Sequence, residues 1–300
     1  MRILMIAVAA TLVTAQAQPP DTEVFLARLT IEGSKISVST PENISKSPGY
    51  DNQPSFTPDG AAVLFTSARG GVPPGASAPQ MDIYRYDIAT KELSAVTNTP
   101  ESEYSAVVTP DGKHISVIRV EADKTQRLWK FPLAKGEPSL VLTDVKPVGY
   151  HAWMDANTVV MFVLGDPPTL QVGDIRSGKT EIAAQNVGRS LQQIPSGGVS
   201  FIQQTGQRDQ RTMTVSELAI QNGVTRTKPL ISAAPGATEE YVAWTPDGTL
   251  LMAAAGQLHA WRQGEAQWRA VADLAALGLK NVSRLAVSAK GDRIAFVAAR

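Results

Sequence analysis

A tetrapeptide that returns three times constrains this chain more than any other feature. Thr57-Pro58-Asp59-Gly60, Thr109-Pro110-Asp111-Gly112 and Thr245-Pro246-Asp247-Gly248 each follow a short apolar stretch and precede another. Ser55-Phe56 leads into Val63-Leu64-Phe65, Val107-Val108 into Ile115 to Ile118, and Ala243-Trp244 into Leu250 to Met252. A turn between two strands has to reverse the chain in few residues, and these residue types do that. Proline presets φ, aspartate bonds the backbone two residues on, and glycine takes positive φ without a Cβ clash. Asp59, Asp111 and Asp247 therefore read as turn formers rather than as a carboxylate site.

The flanking strands locate three degenerate copies: Met154-Asp155-Ala156-Asn157, Pro195-Ser196-Gly197-Gly198 and Ser288-Ala289-Lys290-Gly291. Their fourth positions are Gly or Asn, residues that tolerate the left-handed region. The six fourth positions recur every 41 to 52 residues, close to the ~40–50 residues of a four-stranded propeller blade. A second strand pair follows each turn, clearest in Asp82 to Asp87, a turn at Thr90-Lys91, and Leu93 to Thr97; Arg127 to Leu142 and Thr169 to Ala183 repeat the pattern. After the sixth turn only one strand, Arg293 to Ala298, fits before the C-terminus. The missing outer pair is read at the other end, in Glu23 to Leu29, a Glu32-Gly33 turn, and Lys35 to Ser39. The expected fold is all-β, a six-bladed β-propeller of four-stranded antiparallel blades whose last blade is closed by N-terminal strands. Closure of this kind protects sheet edges. Ala272 to Leu279 reads as a helical turn connecting two blades.

The N-terminus carries a different signal. Met1-Arg2 supplies a positive end, Ile3 to Val13 an apolar run, and Ala15-Gln16-Ala17 a small-x-small site, so residues 1–17 read as a secretory signal peptide. Residues 18–300 are then one propeller domain, periplasmic or secreted. The apolar run is shorter than the ~20 residues a bilayer span requires, so no membrane insertion is expected. The 300 residues hold 28 Lys+Arg and 28 Asp+Glu, a balance without the basic footprint that phosphate backbones demand, which argues against nucleic acid. With no Cys and three His, disulfide frameworks, thiolate metal sites and cysteine nucleophiles are excluded.

The Thr-Pro-Asp-Gly turns, the Asp-Ile-Tyr-x-Tyr-Asp stretch at Asp82 to Asp87 and the Thr-rich blade ends resemble the WD40-like repeats of the TolB-like six-bladed β-propellers. The resemblance runs from Val24 to Arg300 and is strongest in the blades holding Thr57, Thr109 and Thr245. It implies a role as a partner-binding module, a substrate-gating domain or, occasionally, a lyase.

The residues themselves say little for catalysis. A Gly-x-Ser-x-Gly elbow and a His-Glu-x-x-His pair are both missing. Gly70-Gly71 runs into Val72-Pro73-Pro74 rather than into the Lys-Ser/Thr of a phosphate loop. His151 alone falls on an innermost strand and reads as a packed histidine with satisfied ring nitrogens. Phe56, Trp153 and Trp244 read as packing between blades. In a propeller, the loops joining second to third strands share a face with the blade-to-blade connections. The longest such loops are Ala68 to Gln80 and Gln203 to Arg211, and long loops carry function. Counting back from each turn places polar and aromatic residues at the mouth of the channel on that face. The candidate partner-binding residues are Arg69, Gln80, Tyr104, Tyr150, His151, Arg208, Arg211, Glu240, Tyr241 and Arg284. The expectation is a non-catalytic monomer without cofactor or metal that binds a protein or peptide in the cell envelope on its long-loop face. The alternative is a polysaccharide lyase or hydrolase with its site in the central channel.

Overall fold

The computed structural model describes residues 20–206 and 211–300; the leader peptide read at residues 1–17 lies outside them. Six antiparallel sheets are arranged as a β-propeller. The innermost strands are Asp51–Phe56, Ser102–Val108, Val148–Trp153, Val187–Gln193, Val242–Trp244 and Lys280–Val287, which open the first to sixth blades in that order. Each second strand is the most apolar of its blade because neighbouring blades cover both of its faces. Ala62–Ser67 and Thr249–Ala254 are buried along their whole length. They accordingly read as near-continuous apolar runs rather than as alternation. The buried side chains form clusters between successive blades, such as Leu64, Ile83, Ala106, Ile115 and Val117 between the first and second.

The last blade is assembled from both ends of the chain. Lys280–Val287 and Arg293–Ala299 are continued outward by Thr22–Glu32 and then Lys35–Val38. Thr22 pairs with Ala299, and the register runs without a break to Arg28 opposite Arg293. A short strand, Glu42–Asn43, also pairs with Thr22–Glu32, at Phe25 and Leu26. The helical turn expected over Ala272 to Leu279 is not a helix: Ala272 and Asp273 end the strand Arg269–Asp273, and residues 274–278 make one hydrogen-bonded turn, with the Leu277 N–H on the Asp273 carbonyl at 3.2 Å and the Ala276 N–H on the Asp273 carboxylate at 2.9 Å.

The Thr-Pro-Asp-Gly turns close by a shared bonding scheme. Thr109 donates to the Asp111 carboxylate at 2.6 Å, which also accepts the Lys113 N–H at 2.9 Å. The Gly112 N–H reaches the Thr109 carbonyl at 2.8 Å. Gly60, Gly112 and Gly248 have φ of +71°, +68° and +79°, as the turn requires. The degenerate copies reach the same reversal by other means. Gly198 and Gly291 take positive φ, but Asn157 does not: there the Asp155 carboxylate accepts the N–H groups of Asn157 at 2.7 Å and Thr158 at 2.9 Å. Trp153 and Trp244 pack between blades as expected, and each indole N–H finds a serine on the second strand of the preceding blade. Trp153 donates to Ser116 at 2.9 Å and Trp244 to Ser200 at 2.8 Å.

Two outcomes follow. Deleting residues 20–39 strips the sixth blade of its outer strands and leaves a bare sheet edge, so the cooperative thermal transition followed by circular dichroism should be lost; an unchanged melt would contradict shared closure. The bonds from Thr109 and Lys113 hold Asp111 at about 2, below the ~3.9 of an unfolded aspartate. A depressed folded value contributes stability above pH ~4 that is lost as pH falls toward 2. The melting-temperature difference between wild type and Asp111→Ala should be largest above pH 4 and shrink toward pH 2.

Candidate functional site: the channel and the loop-face groove

The inner strands do not run straight into the channel. Register shifts break the pairing of five of them, between Asn52 and Ser55, Tyr104 and Val107, Val148 and Tyr150, Val187 and Leu191, and Lys280 and Arg284. A bulge leaves residues unpaired and re-aims their side chains. Gln53 and Ser105, at equivalent places in the first two blades, take φ of +58° and +55°, a conformation costly for non-glycine residues. The Gln53 side-chain carbonyl accepts the freed N–H of Ser105 at 3.0 Å and the Thr66 hydroxyl at 2.8 Å.

These bulges bring Arg284, Tyr150 and Tyr241 together. Arg284 Nη2 donates to the Tyr150 hydroxyl at 2.8 Å and to that of Tyr241. Its guanidinium carbon lies 3.6 Å from the centre of the Tyr241 ring and 5.1 Å from that of Tyr150, an arrangement in which ring quadrupoles stabilise the cation. The two tyrosine rings meet edge to face, with centres 6.5 Å apart, and the Gln53 amide approaches the Tyr150 hydroxyl at 3.5 Å. Tyr150 and Arg284 belong to the third and sixth blades, opposite one another in the ring, so their hydrogen bond crosses the channel. Burial opposes ionisation of the Tyr150 phenol, but the Arg284 charge, the hydrogen bond with Tyr241 and the Arg189 charge outweigh it and hold the phenol below its usual range. Burial raises Tyr50 and Tyr104 as well; Tyr50 also feels the Arg284 and Arg189 charges and both neighbouring phenols, whereas Tyr104 feels Tyr150.

Arg189 and Glu240 form the adjoining unit. The Glu240 carboxylate accepts the Arg189 backbone N–H at 3.0 Å and Nε–H at 2.8 Å on one oxygen, and the Gln204 amide at 2.8 Å on the other. Gly188 makes room for it: a Cβ there would lie 2.2 Å from the Glu240 carboxylate oxygen and 3.0 Å from the Ile202 Cβ.

Two cavities flank this network. A channel of about 660 Å³ extends from Gln53, Tyr150, Arg189, Tyr241 and Arg284 to Pro58, Pro110, Pro195, Pro246 and Ala289 at the hairpin turns. A groove of about 610 Å³ lies on the long-loop face between the third and fourth blades, walled by Asp166, Asn186, Arg189, Gln204, Arg211 and Glu240. Gln203 to Thr205 continue a strand, so that loop is shorter than its sequence suggests; Arg208 lies outside the described residues.

The structure gathers Tyr150, Tyr241 and Arg284 at the channel, with Tyr104 beside them, and sets Glu240 and Arg211 on the groove. It turns the other candidates inward. Arg69 is spent on Ser67, the Ser45 carbonyl and Asp51, at 2.8, 3.0 and 3.2 Å, and lies over the Tyr84 ring. Gln80 bonds the Thr99 carbonyl and Asp82, tying its loop to the next blade. His151 is buried with Nε2 2.7 Å from the Ser116 hydroxyl. Its Nδ1 has no partner, contrary to the expectation of satisfied ring nitrogens, and burial lowers its pKa to about 3. Arg189 escaped the sequence reading because counting back from the turn assumes a regular strand, and the bulge there displaces the count onto Ser190. Among the described residues no three His, Asp or Glu side chains converge as metal ligands, and no helix is long and apolar enough to cross a membrane.

Gly188→Ala should push the Glu240 carboxylate off Arg189 and lower stability by about 1–3 kcal/mol, the usual cost of overpacking. Chemical denaturation measures it, and a change within error would show that the carboxylate relocates freely.

No family model matches the chain, and no curated protein does. Solved structures do. A putative TolB from Agrobacterium tumefaciens superimposes with a TM-score of 0.66 at 15% identity, covering 92% of this chain and 98% of that one. TolB from Acinetobacter baumannii gives 0.57 at 12%, covering 92% of this chain, which spans 64% of that protein. XC5397 from Xanthomonas campestris, described as a gluconolactonase, gives 0.61 at 8%, covering 96% and 99%. At such identities the likeness speaks to architecture, and the architecture is that of a TolB-like six-bladed β-propeller.

Proposed function

We propose that this chain is an exported, non-catalytic binding module that takes a protein or peptide of the cell envelope on its long-loop face. The observation that carries the reading is the groove between the third and fourth blades. Its walls interleave two cations, Arg189 and Arg211, with two anions, Asp166 and Glu240, and the amide of Gln204. A surface of mixed charge and fixed amides suits a polypeptide, whose backbone and side chains offer donors and acceptors of both kinds. The titrating groups favour binding over chemistry. A general base works best with a pKa near the operating pH, whereas the channel's histidine, His151, is held at about 3. Glu103, raised to about 7 by burial, is engaged with Thr99 and faces Arg119, outside the channel lining. The TolB likenesses agree with this reading, and the gluconolactonase likeness is the reason a lyase or hydrolase in the channel stays as the second one.

The test is capture of a partner from envelope extract by the mature chain, followed by affinity measurements on two sets of variants. Arg211→Glu and Asp166→Lys should weaken capture at least tenfold while leaving the melting temperature in place. Gly112→Val, on the opposite face, should lower the melting temperature and leave affinity intact below it. Capture that survives the groove variants but is lost with folded variants of the hairpin turns would assign the binding to the wrong face. Lactone or polymer turnover by the purified chain would favour the second reading.

A further inference from the structure

Arg284 is a cation deep in the channel with no carboxylate at salt-bridging distance among the described residues. The contrast with its counterparts is sharp. Arg69 pairs with Asp51, Arg119 with Glu101 and Glu103, and Arg189 with Glu240. The charged groups around Arg284 are Arg189, itself paired, and Glu239, which feels both guanidinium charges without bonding either. Taking a guanidinium out of bulk water is expensive unless its donors are met. Both hydrogens on Nη2 are committed to tyrosine hydroxyls. Among the described residues the three on Nε and Nη1 meet no protein acceptor, and neither nitrogen is sealed from solvent, so they are open to the channel that Arg284 lines.

The route to those donors runs from the hairpin-turn side. The channel lining begins at Arg284 and continues through Leu285, Ala286, Val287 and Ser288 to Ala289. Arg284 to Val287 are three steps of strand at ~3.3 Å each, a passage roughly 10 Å deep before the turn begins. At its inner end the Arg284–Tyr150 bond spans it and the Tyr241 ring lies against the guanidinium, which narrows it. A ligand reaching the free N–H groups must therefore be slender and carry its negative charge at the tip.

We propose that Arg284 anchors a carboxylate subsite at the inner end of the channel, filled from the hairpin-turn face and distinct from the loop-face groove. Charge-assisted bonds from a partly desolvated guanidinium are strong and selective for an anion. The carboxylate can belong to the free end of an extended polypeptide or to a small organic acid, and the two sources are separable.

The experiment titrates the purified mature chain with three probes: N-acetyl-pentaalanine with a free C-terminal carboxylate, its C-terminal amide, and acetate. Affinity is read by ligand-observed NMR, and the site by the side-chain Nε–H resonance of Arg284 in labelled protein. The expected result is at least tenfold tighter binding of the acid than of the amide, a displaced Arg284 resonance, and loss of that preference in Arg284→Gln. Binding of acetate without the peptide acid, again moving the Arg284 resonance, would support the subsite and name small acids as its source. Equal binding of acid and amide, an unmoved Arg284 resonance, or no binding by any probe at tens of millimolar would overturn the proposal. The wild-type comparison of acid and amide stands even if Arg284→Gln does not fold. Because the probes never touch Asp166 or Arg211, failure here is distinguishable from failure of the groove reading.

Discussion

The pairing of Thr22–Arg28 with Arg293–Ala299 is the contact on which the ring depends. A blade exposes two faces, and each second strand is apolar on both, so every blade needs a neighbour on either side. A linear array of six would leave one apolar face bare at each end. Only by joining chain ends does the molecule remove that defect, and it does so with backbone hydrogen bonds, which specify register without needing particular side chains. The entropic cost of closing so long a loop grows only with the logarithm of its length, which is why the seam can lie between the two ends of a 300-residue chain.

The fold was legible because its punctuation is local. A hairpin turn needs a Pro, an Asx oxygen and a left-handed residue within four positions, and Thr57 to Gly60 displays all of them. Where the third and fourth blades abandon the motif, the strands on either side still betray the turn, and Asp155 substitutes carboxylate bonds for a left-handed residue. The closure was legible for a different reason: counting strands left the sixth blade short by two.

The site was legible only in part, and the reason is the bulge. That Tyr150, Tyr241 and Arg284 would lie at the channel could be read because large polar side chains at the start of an inner strand point somewhere near the axis. Which of them meet depends on register shifts that no residue pattern announces, since bulges at Gln53 and Ser105 place ordinary residues at positive φ. Arg189 was missed by one position for that reason. Arg69 and Gln80 were misjudged for another: both sit at the edges of a long loop, where sequence does not tell an outward reach from an inward tether. Asp51 and Thr99, the groups that tether them, lie 18 and 19 residues away in the chain.

The bond from Arg284 to Tyr150 joins blades that share no seam. Blades in a ring ordinarily feel one another only through their neighbours, so a distortion at one point fades around the circumference. A spoke changes the mechanics. It makes an oval deformation of the ring compress or stretch a single charged contact, and so gives the widest motion available to the molecule a restoring force at its centre. Whatever settles beside that spoke meets a wall whose diameter is set by a guanidinium and a phenol rather than by the summed slack of six sheets.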